Sequence, residues 1–301
     1  MISLNLSMQQ KLSVCRSETR CEMLNVNNYV NLKAVHIIKD EKTIFEYIRE
    51  NEKETTLFSV GCIFKSFLSV LVGIAIYEGK IDSIEDCIID YVFHEEITNV
   101  NWYKLKIKHA LSKTTGIIWP RPQEPIPINM REVMELQFES EPGVSFQYKP
   151  DPQMIVYLLE DIYGLEITEL LKTKIISCFT NKDYEWDRED IQGMKVSIQM
   201  LNELGQLLLN KGIINGNRLF SEEYYEQMIE EYSCGGFPEC IPYGLSWWIE
   251  NNSNVPFFSA CGFGGQELVV VPQKKMIISI LSDMDRPHPE NKEVIVMALQ
   301  L

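Results

Sequence analysis

The chain predicts a mixed α+β fold, in which an antiparallel sheet built from both chain ends is flanked by helices and a mainly helical region is inserted between its parts. Three observations carry this. Short β-prone runs cluster near the start (34–39 and 43–48) and again after Tyr243 (245–250, 267–271 and 276–281). Between them apolar residues recur at helical spacing. One stretch, 62–78, is apolar on nearly every face, the pattern of an interior helix.

Taken in order, residues 1–30 have weak periodicity and read as an N-terminal arm, helical or irregular. The rest, 31–301, reads as a single domain, with an α/β part over about 31–61 and 243–301 and a mainly helical part over about 62–242. The runs 34–39 and 43–48 flank the charged turn Asp40-Glu41-Lys42 and predict a hairpin. Gly61 and Gly79 bracket the interior helix, where an entry turn and a left-handed cap are needed. Residues 81–92 read as a loop with a short helix that Asp82 or Ser83 can cap. A helix over 105–111 ends in the turn Lys113-Thr114-Thr115-Gly116. Pro120, Pro122, Pro125 and Pro127 then mark a surface loop. Helices follow over 130–138, 153–162 and 167–178. Another covers 197–211, where Ile198, Leu201, Leu204, Leu207 and Leu208 share a face, and one more is capped by Ser221. Pro272 to Lys275 joins the strands 267–271 and 276–281, and 290–300 closes the chain as a helix.

Composition narrows the function. Of 301 residues, 45% are hydrophobic and 24% charged, ordinary for a globular chain able to bury a large core. A net charge of −15 argues against nucleic acid or an anionic membrane as partner. No apolar run reaches the roughly 20 residues of a bilayer span, and the first residues show no secretory signal, so a cytoplasmic location is expected. Reduced thiols are then the default for the eight cysteines (15, 21, 62, 87, 178, 234, 240 and 261). None forms a C-x-x-C pair, and His36, His94, His109 and His288 are scattered, so neither a metal site nor a cofactor is expected.

Chemistry gathers at the start of the interior helix. Lys65 interrupts its apolar wall, and burying an unpaired ammonium is costly, so it needs a partner. Cys62, three residues earlier, shares its helix face, where backbone N–H groups favour a thiolate. Cysteine is also a common inert core residue, and lysine can snorkel to water, so these two residues alone leave both readings open.

In this register Cys62-Ile63-Phe64-Lys65 resembles the S-x-x-K motif of the serine β-lactamase and penicillin-binding-protein-like hydrolases. The likeness is closest to the class C, esterase and 6-aminohexanoate-dimer-hydrolase branch. Further blocks follow in order: Lys106-Ile107-Lys108-His109-Ala110-Leu111 with Thr115-Gly116-Ile117; Pro142-Gly143 with Phe146-x-Tyr148; and Trp186-Asp187 through Gly193. Leu204 to Gly212, Tyr243 to Trp248 and Gly262 to Gln266 complete the set. The resemblance implies a β-lactamase/transpeptidase-like fold over roughly 34–300. It implies catalytic roles for Cys62 as nucleophile, Lys65 as proton acceptor or charge partner, and Tyr148 as general base and acid. The oxyanion hole would be the backbone N–H groups of Cys62 and Phe263. Ala260, Cys261 and Gly262 would form the substrate-binding strand, with Trp119 and Pro150 as further substrate-binding positions. On residues alone Tyr148 reads equally as a core tyrosine with a bonded hydroxyl.

Three departures stand out. Cysteine replaces the serine, Pro150 replaces the asparagine of Y-x-N, and Ala260 replaces a lysine or histidine. β-Lactamase or peptidoglycan-carboxypeptidase activity is therefore not expected. A thiol of pKa about 8.5 beside Lys65 still supports nucleophilic catalysis, and the resulting thioester is open to attack by amines. The expectation is an acyl-enzyme hydrolase or acyltransferase acting on a small-molecule or peptide amide or ester, with an amine as a further acceptor. Two alternatives stay open. One is a catalytically impaired binding module, in which Cys62 is a degenerate or engineered nucleophile. The other is a redox-sensing Cys62–Cys261 pair.

Overall fold

The computed structural model describes residues 26, 29–92, 97, 99–121 and 123–301. Most of the expected N-terminal arm lies outside the described residues, as do Cys15, Cys21, His94 and Pro122.

β1 (Leu32–Lys39) and β2 (Lys42–Ile48) form the expected hairpin. Asp40 and Glu41 have φ of 48° and 61°, the left-handed turn whose twist matches that of the strands it joins. β3 (Phe58–Ser59) leads into a 3₁₀ turn over Gly61–Ile63 and then into α1 (Phe64–Tyr77). The apolar stretch therefore begins as 3₁₀ and not as α-helix, a common arrangement at a helix N-terminus. Every residue from 63 to 75 is buried, as an all-round apolar helix requires. In the loop that follows, Cys87 and not Asp82 or Ser83 precedes the short helix Ile88–Asp90, and it gives no side-chain cap. Ser83 instead donates its backbone N–H to Asp86, which closes the loop on itself.

α2 (Ile107–Leu111) is followed by α3 (Met130–Met134). α3 stops short of the expected 138 because Phe138 leaves to pair with Ile117. α4 (Gln153–Tyr163) ends at Gly164, in the left-handed conformation a helix C-terminus favours. α5 (Ile167–Lys174) comes next. β4 (Tyr184–Asp187) and β5 (Asp190–Val196) form a hairpin that the sequence reading did not predict, and β5 also pairs with β3. α6 (Ile198–Leu209) is capped by Ser197, whose Oγ accepts from the Met200 N–H. β6 (Ile213–Ile214) and β7 (Asn217–Arg218) precede α7 (Glu222–Met228), which Ser221 caps as expected. β8 (Trp248–Glu250), β9 (Phe257–Cys261), β10 (Glu267–Val271), β11 (Met276–Ser282) and α8 (Asn291–Ala298) complete the chain.

Two compact units divide these elements. One comprises Met1–Phe64, Ile176–Arg218 and Glu250–Leu301, the other Lys65–Ile175 and Leu219–Ile249. In the first, strands run in the order β2-β1-β11-β10-β9, all antiparallel, so the two chain ends meet where β1 pairs with β11. α6 covers one face. A Cβ at Gly205 would lie 2.6 Å from Ile277 and 3.1 Å from Leu268, so no side chain fits there. On the opposite face Val294, Ile295 and Ala298 of α8 join Val35, Ile37, Val269, Ile278 and Ile280. Covering both faces explains why β10 and β11 are buried continuously and not alternately. Each such side chain stabilises the fold by about 1.5–3 kcal/mol.

In the second unit Ser66 Oγ donates to the Ser246 carbonyl (2.9 Å), which fixes the start of α1. Further along, a Cβ at Gly73 would sit 2.4 Å from the Tyr224 ring, so that ring packs directly on the backbone of α1. α4 packs against α2, α3 and α5. Among the described residues, no helix is long and apolar enough to cross a membrane.

Candidate active site

The expected site residues divide between the units: Cys62 and residues 260–263 belong to the first, and Lys65, Trp119, Tyr148 and Pro150 to the second.

In the first unit Cys62 is half-buried at the centre of the 3₁₀ turn. Gly61 precedes it with φ 49°. A Cβ there would come within 3.2 Å of the Phe263 nitrogen and 3.5 Å of Gly262 Cα. The backbone of residue 263 therefore runs directly against the segment that bears Cys62, and glycine at 61 eases both the close approach and the left-handed φ. The opposing turn is built tightly. Gly262 N–H donates to Gln266 O (2.9 Å), Gly264 N–H donates to Gln266 Oε1 (3.0 Å), and Ser282 Oγ donates to Gly264 O (2.6 Å). Gln266 is fully buried, so these bonds are shielded from competing water. The Phe263 side chain stays 56% exposed, leaving its backbone as the part the turn holds.

Ala260 is buried and sits opposite Leu268 in the β9–β10 register. Cys261 is buried on the other face. Its thiol donates to Glu267 Oε2 (2.9 Å), Lys292 Nζ lies 3.5 Å from its sulfur, and Lys292 pairs with Glu267.

In the second unit Lys65 is 6% exposed, and its Nζ lies 4.6 Å from the centre of the Tyr148 ring. Helix α1 supplies the lysine from its first turn. The segment before α4 supplies the tyrosine, held among aromatic rings: Tyr148 stacks on Trp248 (5.7 Å, 13°), and Tyr243 meets Trp248 edge-on at 4.6 Å. A second lysine reaches the same ring, with Lys113 Nζ 4.3 Å from its centre. Lys113 has no exposed surface and donates to the Lys149 carbonyl (2.8 Å). Behind it Asp151 is buried. Its Oδ1 accepts from Thr115 Oγ1 (2.9 Å) and Trp119 Nε1 (2.5 Å). Burial pushes the Asp151 carboxyl above the ordinary range, and the Lys113 charge opposes that shift. Trp119, expected at a substrate-binding position, is thus buried and tied to Asp151. Pro150 closes the turn into α4, where its carbonyl accepts from Gln153 N–H (2.8 Å).

The sequence reading missed Lys113 and Asp151. Lys113 stands between the two halves of a motif block and read as part of a glycine turn; flanked by Ser112 and Thr114, it lacks the apolar neighbours that made Lys65 stand out.

An antiparallel sheet joining the chain ends, helices on its faces and an inserted helical region define a β-lactamase/transpeptidase-like fold. The chain belongs to the beta-lactamase family, whose model matches residues 33–300. No curated protein matches it in sequence. Its fold is similar to that of a protein from Bacillus anthracis provisionally described as a 6-aminohexanoate-dimer hydrolase. The TM-score is 0.75 at 19% identity, over 91% of this chain and 79% of that one. A family VIII carboxylesterase matches with TM-score 0.76 at 13% identity, over 96% and 99%. An octameric penicillin-binding protein homologue from Pyrococcus abyssi matches with TM-score 0.71 at 17% identity, over 93% and 75%. At these identities the likeness is one of fold.

Proposed function

We propose that this protein is an acyl-enzyme hydrolase or acyltransferase that acts on an amide or ester through Cys62. The observation that supports this most is the meeting of Lys65 and Tyr148, more than eighty residues apart in sequence, with a buried ammonium 4.6 Å from the tyrosine ring centre. A buried cation needs such a partner, and a phenol beside an ammonium releases its proton more readily. Lys65 also lies one helical turn from Cys62 along the chain.

In this reading the Cys62 thiol passes its proton to Tyr148, and the thiolate attacks the acyl carbon. Backbone N–H groups of Cys62 and Phe263 hold the oxyanion. Tyr148 then returns the proton to the departing alcohol or amine as the carbon–oxygen or carbon–nitrogen bond breaks, leaving a thioester. Water or an amine attacks that thioester, gives up a proton to Tyr148 and releases the acyl product, and the proton returns to sulfur. No cofactor enters any step. Ala260 and Pro150 lack a charge and an amide respectively, so the substrate is one that needs neither a carboxylate anchor nor an amide clamp at those positions.

Thiol alkylation tests the reading. Cys62 should react faster with iodoacetamide than Cys234 or Cys240, with a rate that depends on pH and falls at least tenfold in Lys65→Met. Labelling of Cys62 no faster than the exposed cysteines, and indifferent to Lys65, would favour a binding module that keeps the fold without the chemistry.

A further inference from the structure

Lys113 combines two unfavourable features. Its backbone has φ 60°, a conformation non-glycine residues seldom adopt, and its side chain is 0% exposed. Such features persist only where the surroundings hold them in place. Here the surroundings are the Lys149 carbonyl, the Asp151 carboxyl and the ring of Tyr148. Among the described residues, charged groups near Tyr148 in this unit include Lys65 from α1, Lys113 from the turn after α2, and Lys149 and Asp151 from its own segment. The ring's neighbours at residues 243 and 248 are aromatic. Lys149 is engaged with Glu139 and the Ile117 carbonyl. Lys65 and Lys113 both lie over the phenol ring, at 4.6 and 4.3 Å from its centre.

We propose that Lys113 is a second cation for Tyr148: a positioning residue that, with Lys65, favours the phenolate and so readies Tyr148 to take a proton. Asp151 tempers this field, because its carboxyl interacts electrostatically with Lys113 and its negative charge opposes that of the ammonium. The inference rests on the reading of Tyr148 as the proton carrier. A purely structural role differs from it observably. If Lys113 serves only to close the turn through the Lys149 carbonyl, removing its charge loosens the fold without changing how Tyr148 titrates.

The test is an ultraviolet titration of phenolate absorbance, in which subtracting the curve of Tyr148→Phe isolates Tyr148, in the wild type and in Lys113→Met. An opposite charge at this range moves an ionisation by about one to three pH units. The Tyr148 ionisation should therefore rise by at least one unit in Lys113→Met, and kcat/KM for an activated ester should reach its plateau at correspondingly higher pH. Lys113→Arg, which keeps the charge, should restore most of the shift. An unmoved phenol in a folded Lys113→Met protein overturns the inference. Should that variant not fold, Asp151→Asn serves instead: it removes the opposing anion and should lower the Tyr148 ionisation, and no change there overturns the inference equally. The two readings fail separately. A wild type that forms no acyl-enzyme while its phenol still responds to Lys113 defeats the functional reading alone. Turnover with an unresponsive phenol defeats this one alone.

Discussion

Replacing Gly262 with alanine probes the proposed oxyanion arrangement without touching any side chain proposed to take part in the chemistry. The new Cβ would lie 2.5 Å from the Val60 carbonyl oxygen and 2.6 Å from Gln266 Oε1. Neither neighbour yields easily. Val60 O accepts from Ile63 N–H (3.2 Å) and so holds the 3₁₀ turn that contains Cys62. Gln266 is fully buried, accepts from Gly264 N–H and donates to Ser282 O (3.3 Å). Restoring ordinary van der Waals separation takes roughly 1 Å of movement, and overpacking of this kind costs about 1–3 kcal/mol of stability. That movement falls on the segment bearing the Phe263 amide. Removing one oxyanion donor costs about 10²–10³ in rate, or about 2.7–4 kcal/mol of transition-state stabilisation. Gly262→Ala should therefore lower the burst of p-nitrophenol release from p-nitrophenyl acetate at least a hundredfold, with melting only a few degrees lower. Gly79→Ala is the control: φ is 68° but nothing lies within 4 Å, so it costs about 1 kcal/mol in backbone strain and leaves acylation unchanged. A folded Gly262→Ala protein that acylates within threefold of wild type would refute the assignment of Phe263 N–H to the oxyanion.

Two further outcomes concern stability. Trp119→Phe keeps the ring but removes the donor to the buried Asp151 carboxyl, and should cost about 1–3 kcal/mol in urea unfolding. A loss under 0.5 kcal/mol would show that Asp151 is satisfied without it. Burial holds His36 well below its ordinary value, at about 4, and its ring lies 2.7 Å from Asn202 Nδ2. The folded state keeps the ring neutral while the unfolded chain takes up a proton, so this stability is complete above about pH 6.5 and is lost as the pH falls toward 4. The loss approaches about 3 kcal/mol at full effect. His36→Gln should flatten the acid limb of the stability curve over that interval, and an unchanged limb would place the acid sensitivity elsewhere.

The parts legible in the sequence are those with strong local signals. The β1–β2 hairpin, the β10–β11 hairpin, α4 with its glycine stop, the amphipathic α6, and α7 with its serine cap all follow from periodicity and turn chemistry. β4 and β5 escaped because Tyr-Glu-Trp-Asp alternates over only four residues, Asp-Ile-Gln-Gly-Met-Lys-Val loses its alternation around Gly193, and β5 finds its other partner in the distant β3. Periodicity identified α6 as amphipathic but could not name the sheet it covers, since that contact depends on Gly205 facing Ile277. At the candidate site the spacing of Cys62 and Lys65 is a property of one turn and was readable. The approach of Lys65 and Lys113 to Tyr148 joins three distant segments, and no local pattern encodes it. Trp119 read as a loop residue free to meet substrate, because its buried carboxylate partner lies 32 residues away.

Intact-mass spectrometry with peptide mapping, after incubation with activated esters, amides and β-lactams, bears most directly on covalent chemistry at Cys62. The account expects one added acyl mass, mapped to the peptide containing residue 62, absent in Cys62→Ala and discharged faster when an amine is supplied. An acyl group on another residue, or equal modification of Cys62→Ala, would contradict it.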